Sequence, residues 1–283
     1  MRYSKISLWF LTLITATLVG SCIEKRTNTV SPRSAPVTAW TRLKTTNHLR
    51  VGYIVFPPTV VKDARTGALS GHFVTTINEI ARQANWTVEF VATDWATFPA
   101  GLDTGRFDIS IAPTFVTIPR AKAVSFSRPL FYAGNSAIVR RTEKRFHKIG
   151  DLDRPDVKIA VTQGEAGYEY AKQNLKHAQL LIHAGSDQSL TFMDVLTGRS
   201  DVALGDAYVT AQFAAAHPDS RDLFATSPYN LTPVSWAVAS SEQRLLQFVN
   251  DSIEALESQG ELAEYERAAG AHWLHDERAL TTR

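Results

Sequence analysis

The chain contains a single cysteine, Cys22, so no internal disulfide can hold it together. It has no long run of Lys or Arg, and 30 basic residues face 28 acidic ones for a net charge of +2. That balance argues against nucleic acid as a partner. Beyond residue 49 no apolar stretch approaches the roughly 20 residues a membrane-spanning helix needs. Motifs of the G-x-S-x-G, P-loop, G-x-G-x-x-G and H-E-x-x-H types are missing, which lowers the expectation of catalysis. His272 and His275 stand three apart but lack Cys or carboxylate companions nearby in sequence, so no metal site is expected, and no cofactor. No unit of 20 to 50 residues repeats. What remains is ordinary globular material: 44% hydrophobic and 20% charged residues over 283 positions, enough for one large domain or two modest lobes. Aromatic residues, at 10%, belong mainly to core, with some left for a ligand site.

The N-terminus reads as an address rather than as fold. Arg2 and Lys5 precede an apolar segment from Ile6 to Val19, short for a span but suited to a signal peptide. It ends in Val19-Gly20-Ser21-Cys22, which resembles the lipobox of bacterial lipoproteins. The expectation is a signal peptide over 1–22 and acylation of Cys22, placing the protein in the cell envelope on a periplasmic or extracytoplasmic face. An ordinary signal peptide with an incidental Cys is the alternative. Residues 23–47 carry Thr27, Asn28, Ser31, Pro32, Ser34 and Pro36 with little apolar periodicity, and read as a flexible tether.

From Leu49 onward, strand and helix patterns alternate. Strands are expected over 49–56, 88–92, 107–112, 157–161, 180–183, 202–204 and 234–239. Helices are expected around 74–84, 95–102, 163–170, 190–197, 207–216, from Ser240 toward Ser258, and over 261–269. Ser240 with Gln243 fits a capping box. Alternation of this kind predicts an α/β architecture with largely parallel sheets.

Several ordered stretches carry a more specific signal. Leu49-Arg50-Val51-Gly52 is followed by Phe56-Pro57-Pro58, then Gly71-His72-Phe73, Asp94-Trp95 and Phe107-Asp108. Next come Thr117-Ile118-Pro119-Arg120-Ala121-Lys122, Phe126-Ser127-Arg128-Pro129-Leu130-Phe131-Tyr132, Ile159 to Gly164, and Gly198 to Ala203 with Asp206. Together they resemble the family 3 bacterial extracellular solute-binding proteins, the amino-acid receptors of ABC importers. The resemblance implies a type II periplasmic-binding-protein fold of two α/β lobes, each a largely parallel sheet flanked by helices. Lobe 1 would span 48–137 and 234–275, lobe 2 would span 138–233, and 276–283 would form a tail. Crossover segments near 137–140 and 231–235 would act as the hinge.

The resemblance also implies a cleft. Arg120 would grip a ligand carboxylate with two parallel hydrogen bonds. Asp206, at the carboxyl end of a strand, would pair with an ammonium group; it could equally cap the helix beginning at Ala207. Phe56 and Trp95 match the rings that sandwich the ligand. The turn Gln163-Gly164-Glu165-Ala166 would present free backbone N–H groups to the ligand. Glu165 stands where the family usually has Ser or Thr. As an exposed first-turn acid it would merely favour the helix dipole; facing the cleft, it would repel a carboxylate and favour a cation. The strand end Ala112-Pro113-Thr114-Phe115 also departs from the family, which commonly has Gly for Pro113 and a hydroxyl residue for Phe115. Phe115 cannot hydrogen-bond a ligand and would enlarge an apolar or stacking pocket.

The expected function is capture of a small solute, an amino acid or something like one, for the membrane permease of an ABC importer. The protein would act as a monomer held on the bilayer through Cys22. Two other readings stay open. One is a sensory or partner-protein module on the same fold. The other is a cyclohexadienyl dehydratase-like enzyme in which Glu165 or Asp206 acts as general acid.

Overall fold

The computed structural model describes residues 38–271 and His275. The signal peptide and Cys22, most of the 23–47 segment, His272 and the 276–283 tail lie outside the described residues.

The first half runs α1 (Ala39–Thr46), β1 (His48–Tyr53), β2 (Val61–Lys62), β3 (Leu69–Ser70), α2 (His72–Gln83), β4 (Thr87–Ala92), α3 (Phe98–Asp103), β5 (Ile109–Phe115), α4 (Ile118–Ala121), β6 (Val124–Phe126) and β7 (Phe131–Arg140). The second runs β8 (Lys158–Thr162), α5 (Ala166–Asn174), β9 (Gln179–His183), α6 (Ser189–Leu196), β10 (Val202–Asp206), α7 (Ala207–Ala216), β11 (Ser220–Asp222), β12 (Tyr229–Ala239), α8 (Gln243–Ser258) and α9 (Glu261–Ala268). No helix among the described residues is long and apolar enough to cross a membrane.

The main sheet follows the order β4-β1-β5-β12-β7-β10-β8-β9. Two parallel blocks, β4-β1-β5 and β10-β8-β9, flank a central pair, β12 and β7. That pair is antiparallel to each other and to the block each adjoins. The crossover segments expected at 137–140 and 231–235 fall inside these two long strands. β5 is buried along its whole length, as a strand covered on both faces must be. Pro113 has no N–H for a ladder, and the β12 register shifts between Ser235 and Ala237, in the stretch facing it.

Separate cores pack on the two blocks. Val51, Ile109, Ile111 and Trp236 meet the buried face of α2 (Phe73, Ile77, Ile80) and that of α8 (Leu245, Val249, Ile253). On the other block, Ile159, Val161, Val202 and Leu204 pack with Phe146, Leu152 and Ala171.

Three local expectations are corrected. Residues 39–46 are not tether but helix α1. Thr38 caps it through its side chain, and the Glu242 carboxylate accepts from Ala39 N at 2.7 Å and Trp40 N at 3.3 Å. Trp40 then packs on Phe248, with ring centroids 5.5 Å apart, and Leu43 is fully buried. Polar composition hid this helix because its anchors lie some 200 residues away, beyond any local pattern. Second, the helix starting near Ser240 begins at Gln243; the Gln243 side chain donates to Ser240 O at 2.7 Å instead of closing a capping box. Third, the helix expected from Trp95 starts at Phe98, because the Asp94 carboxylate accepts from Ala96 N at 3.0 Å and Thr97 N at 2.8 Å and holds 94–97 as a turn.

Candidate functional site

Five strands of the two blocks deliver residues to one place, and each does so at its carboxyl end, where open α/β sheets bind ligands. β1 leads to Phe56, β4 to Trp95, β5 to Pro113 and Phe115, β8 to Glu165 and β10 to Asp206. With Arg120, Asn135, Ala166 and Gln188 they line a cavity of about 20 Å³.

Phe56 and Trp95 meet edge to face, with centroids 6.2 Å apart at 90°. They pack with Ile54 and Ala112, and Val209 of α7 leans on them from the opposite block. Ala112 is fully buried in that cluster rather than on the cavity wall.

Arg120 is placed by α4. Thr117 caps this single turn, Pro119 supplies a pre-set φ, and the chain then turns the guanidinium inward. Nη1 donates to Phe115 O at 2.9 Å and Nη2 donates to Gly164 O at 2.5 Å. Burial lowers its pKa to about 10, which leaves it charged at neutral pH. Gln163 and Gly164 line a second, outer cavity of about 330 Å³ with Tyr168, Glu169 and Lys172; Trp95 and Arg120 border both spaces.

Asp206 takes the capping role open to it in the sequence, accepting from Tyr208 N at 2.8 Å at the start of α7, and also lines the cavity. Burial raises its pKa to about 7. Glu165 is not an exposed first-turn acid. It is 6% exposed, makes no capping bond with α5, and turns its carboxylate into the cavity. Burial, then the nearby Asp206 charge, pushes its pKa well above the usual carboxylate range, while Arg120 and Gln188 pull the other way. Its Oε1 has no hydrogen-bond partner, and neither has Trp95 Nε1.

Two lining residues were not among the sequence candidates. Gln188 precedes α6, and its Oε1 accepts from Asp206 N at 3.3 Å. Asn135 of β7 sits opposite Asp206 in the ladder and donates to Gly205 O at 3.3 Å. Neither belongs to a motif; strand pairing brings in Asn135, and the bond from Asp206 N brings in Gln188 from the start of α6. His275 pairs with Glu266 at 2.7 Å, away from this site.

Residues 49–271 match the sequence profile of the bacterial extracellular solute-binding proteins, family 3. The chain belongs to this family. A probable amino-acid ABC transporter-binding protein of Haemophilus influenzae is 28% identical over 199 residues, covering 70% of this chain and 75% of the relative. The cyclohexadienyl dehydratase of Pseudomonas aeruginosa is 24% identical over 209 residues, 74% of this chain and 75% of that enzyme. Among solved structures, an ancestral amino acid-binding protein, described as a precursor of cyclohexadienyl dehydratase, superposes with a TM-score of 0.71 at 27% identity. The match covers 82% of this chain and 98% of that one. The fold is thus the mixed α/β fold of periplasmic amino-acid-binding proteins, the type II arrangement.

Proposed function

We propose that this protein captures an amino acid and delivers it to the permease of an ABC importer. The carrying observation is that a buried guanidinium and a buried carboxylate, Arg120 and Asp206, line one cavity beside the Phe56–Trp95 pair. That arrangement suits a zwitterion: Arg120 takes its carboxylate and Asp206 its ammonium, while the rings hold the side chain.

In this reading 48–137 with 234–275 and 138–233 are lobes that open about β7 and β12 to admit the ligand. The cavity volume supports it, since about 20 Å³ accommodates little more than one water. Acylation at Cys22, motivated by Val19-Gly20-Ser21-Cys22, would keep the protein at the membrane, with several acyl chains making the anchor stable. Palmitate labelling of the wild type but not of Cys22→Ser tests the anchor.

A thermal-shift panel of amino acids, polyamines and small organic acids tests the function. A ligand at 100 times its Kd should stabilise the fold by about 2.7 kcal/mol. A panel in which no amino acid shifts the protein would refute the reading. A second reading, turnover rather than transport, is favoured by the buried Glu165 and by the dehydratase relative. Loss of prephenate or arogenate with wild type but not with Glu165→Gln would put it first; no loss with either removes it.

A further inference from the structure

Resting on the amino-acid reading above, we propose that Glu165, supported by Gln188, is the receptor for a positively charged side chain, so that the ligand is a basic amino acid.

The charge count of the cavity leads there. Its ionisable wall residues are one guanidinium, Arg120, and two carboxylates, Glu165 and Asp206. A zwitterion sets its carboxylate against Arg120 and its ammonium against Asp206, which leaves Glu165 over. Glu165 is more than nine-tenths buried, and its Oε1 meets no donor from the protein. A buried acceptor left bare is costly, and a carboxylate facing the bare acceptor of a ligand is costlier still. A cationic side chain removes both penalties and brings the cavity and its contents to neutrality.

The surroundings favour that occupant over a merely polar one. Two of the five N–H groups of Arg120 go to the carbonyls of Phe115 and Gly164, which leaves donors for the ligand carboxylate, and no ion pair joins Arg120 to Glu165. The charged groups that act on Glu165 are Arg120 from α4, Asp206 from the end of β10 and Asp187 from the segment before α6. Two of these three are acidic. Gln188 lies beside Glu165, and its Oε1 is turned to Asp206 N, which holds the amide in place. Phe115 adds apolar wall on which the methylene stem of a long basic side chain can lie.

The test is calorimetric titration of the wild type and Glu165→Gln with lysine, ornithine, arginine, glutamine, glutamate and cadaverine at about pH 7.5, where an ordinary carboxylate is ionised. The wild type should bind at least one basic amino acid about tenfold or more tighter than glutamine, and glutamate more weakly than glutamine. Glu165→Gln should lose most of that preference while glutamine binding holds or improves; its melting temperature, expected to rise, checks that it folds. Repeating the titration in buffers of different ionisation enthalpy should show proton release on binding to the wild type that diminishes in the variant. Glutamine or glutamate bound as tightly as the basic amino acids would overturn the proposal and leave the amino-acid reading standing. So would a preference unchanged in Glu165→Gln. Cadaverine bound where no amino acid binds would overturn the amino-acid reading, and with it the proposal as stated.

Discussion

Arg120 Nη2 donates to Gly164 O at 2.5 Å, joining the helix after β5 in one block to the turn after β8 in the other. The same guanidinium is tied to Phe115 O within its own block. One side chain therefore helps close the two blocks on each other and faces the cavity they enclose. Replacing it with Ala removes both contributions. Arg120→Ala is expected to weaken amino-acid binding by about 2–5 kcal/mol, because the ligand carboxylate would be buried without a partner. Calorimetry reads the loss directly, and unchanged affinity would remove Arg120 from the site.

Gly164 answers Arg120 with backbone alone. Its φ is +82°, and a Cβ there would lie 2.6 Å from Trp95 C and Ala96 N. Neither neighbour is a flexible side chain that could step aside. Gly164→Ala is expected to fold, since the clash is between blocks, but to resist closing. Small-angle scattering should show the wild type compacting when a saturating amino acid is added, and the variant compacting less, with weaker binding.

Asp206 makes stability depend on pH in a direction opposite to ordinary acid denaturation. Burial raises its pKa from 3.8 to about 7 in the fold, so the folded state holds this proton more tightly than the unfolded chain does. Its contribution is fully present below about pH 4 and is lost as pH rises through about 7. The size is a few kcal/mol, because each tenfold gain in proton affinity is worth about 1.4 kcal/mol. Melting of the ligand-free protein at about pH 5 and about pH 8, on either side of that pKa, should show wild type losing more stability at the higher pH than Asp206→Asn, which keeps the helix cap.

Asp108 ties α1 to the first block. Its carboxylate, 1% exposed, pairs with Arg50 at 2.7 Å and with Arg42, and also accepts from Arg50 N at 2.9 Å. Asp108→Ala leaves two guanidinium groups without their partner. A loss of about 3 kcal/mol is expected, at the low end for a broken buried pair because both arginines are partly exposed. Urea denaturation measures it, and truncation through residue 46 should be destabilising too, which a passive tether would not be.

Much of this was legible along the chain. The strand expected over 202–204 announces itself as a short apolar run and lies within Val202–Asp206, and α8 shows buried Leu245, Val249, Ile253 and Leu256 at helical spacing. Arg120, Asp206, Phe56 and Trp95 stood in ordered motifs and do line one cavity. Those features depend on neighbours a few residues away, and the sequence by itself determined them. It also singled out two carboxylates, Glu165 and Asp206, and one guanidinium, Arg120, as candidates for the site. Only the tertiary structure decided which way Glu165 points. A residue at the start of a helix can cap it, face water or turn inward, and the choice rests on what distant parts of the chain place beside it, here Asp206, Gln188 and Arg120. The same holds for Gln188 and Asn135, and for α1, whose N-terminus is held by Glu242 from the far end of the chain. Contacts between residues distant in sequence leave no local period, so only the folded chain reveals them.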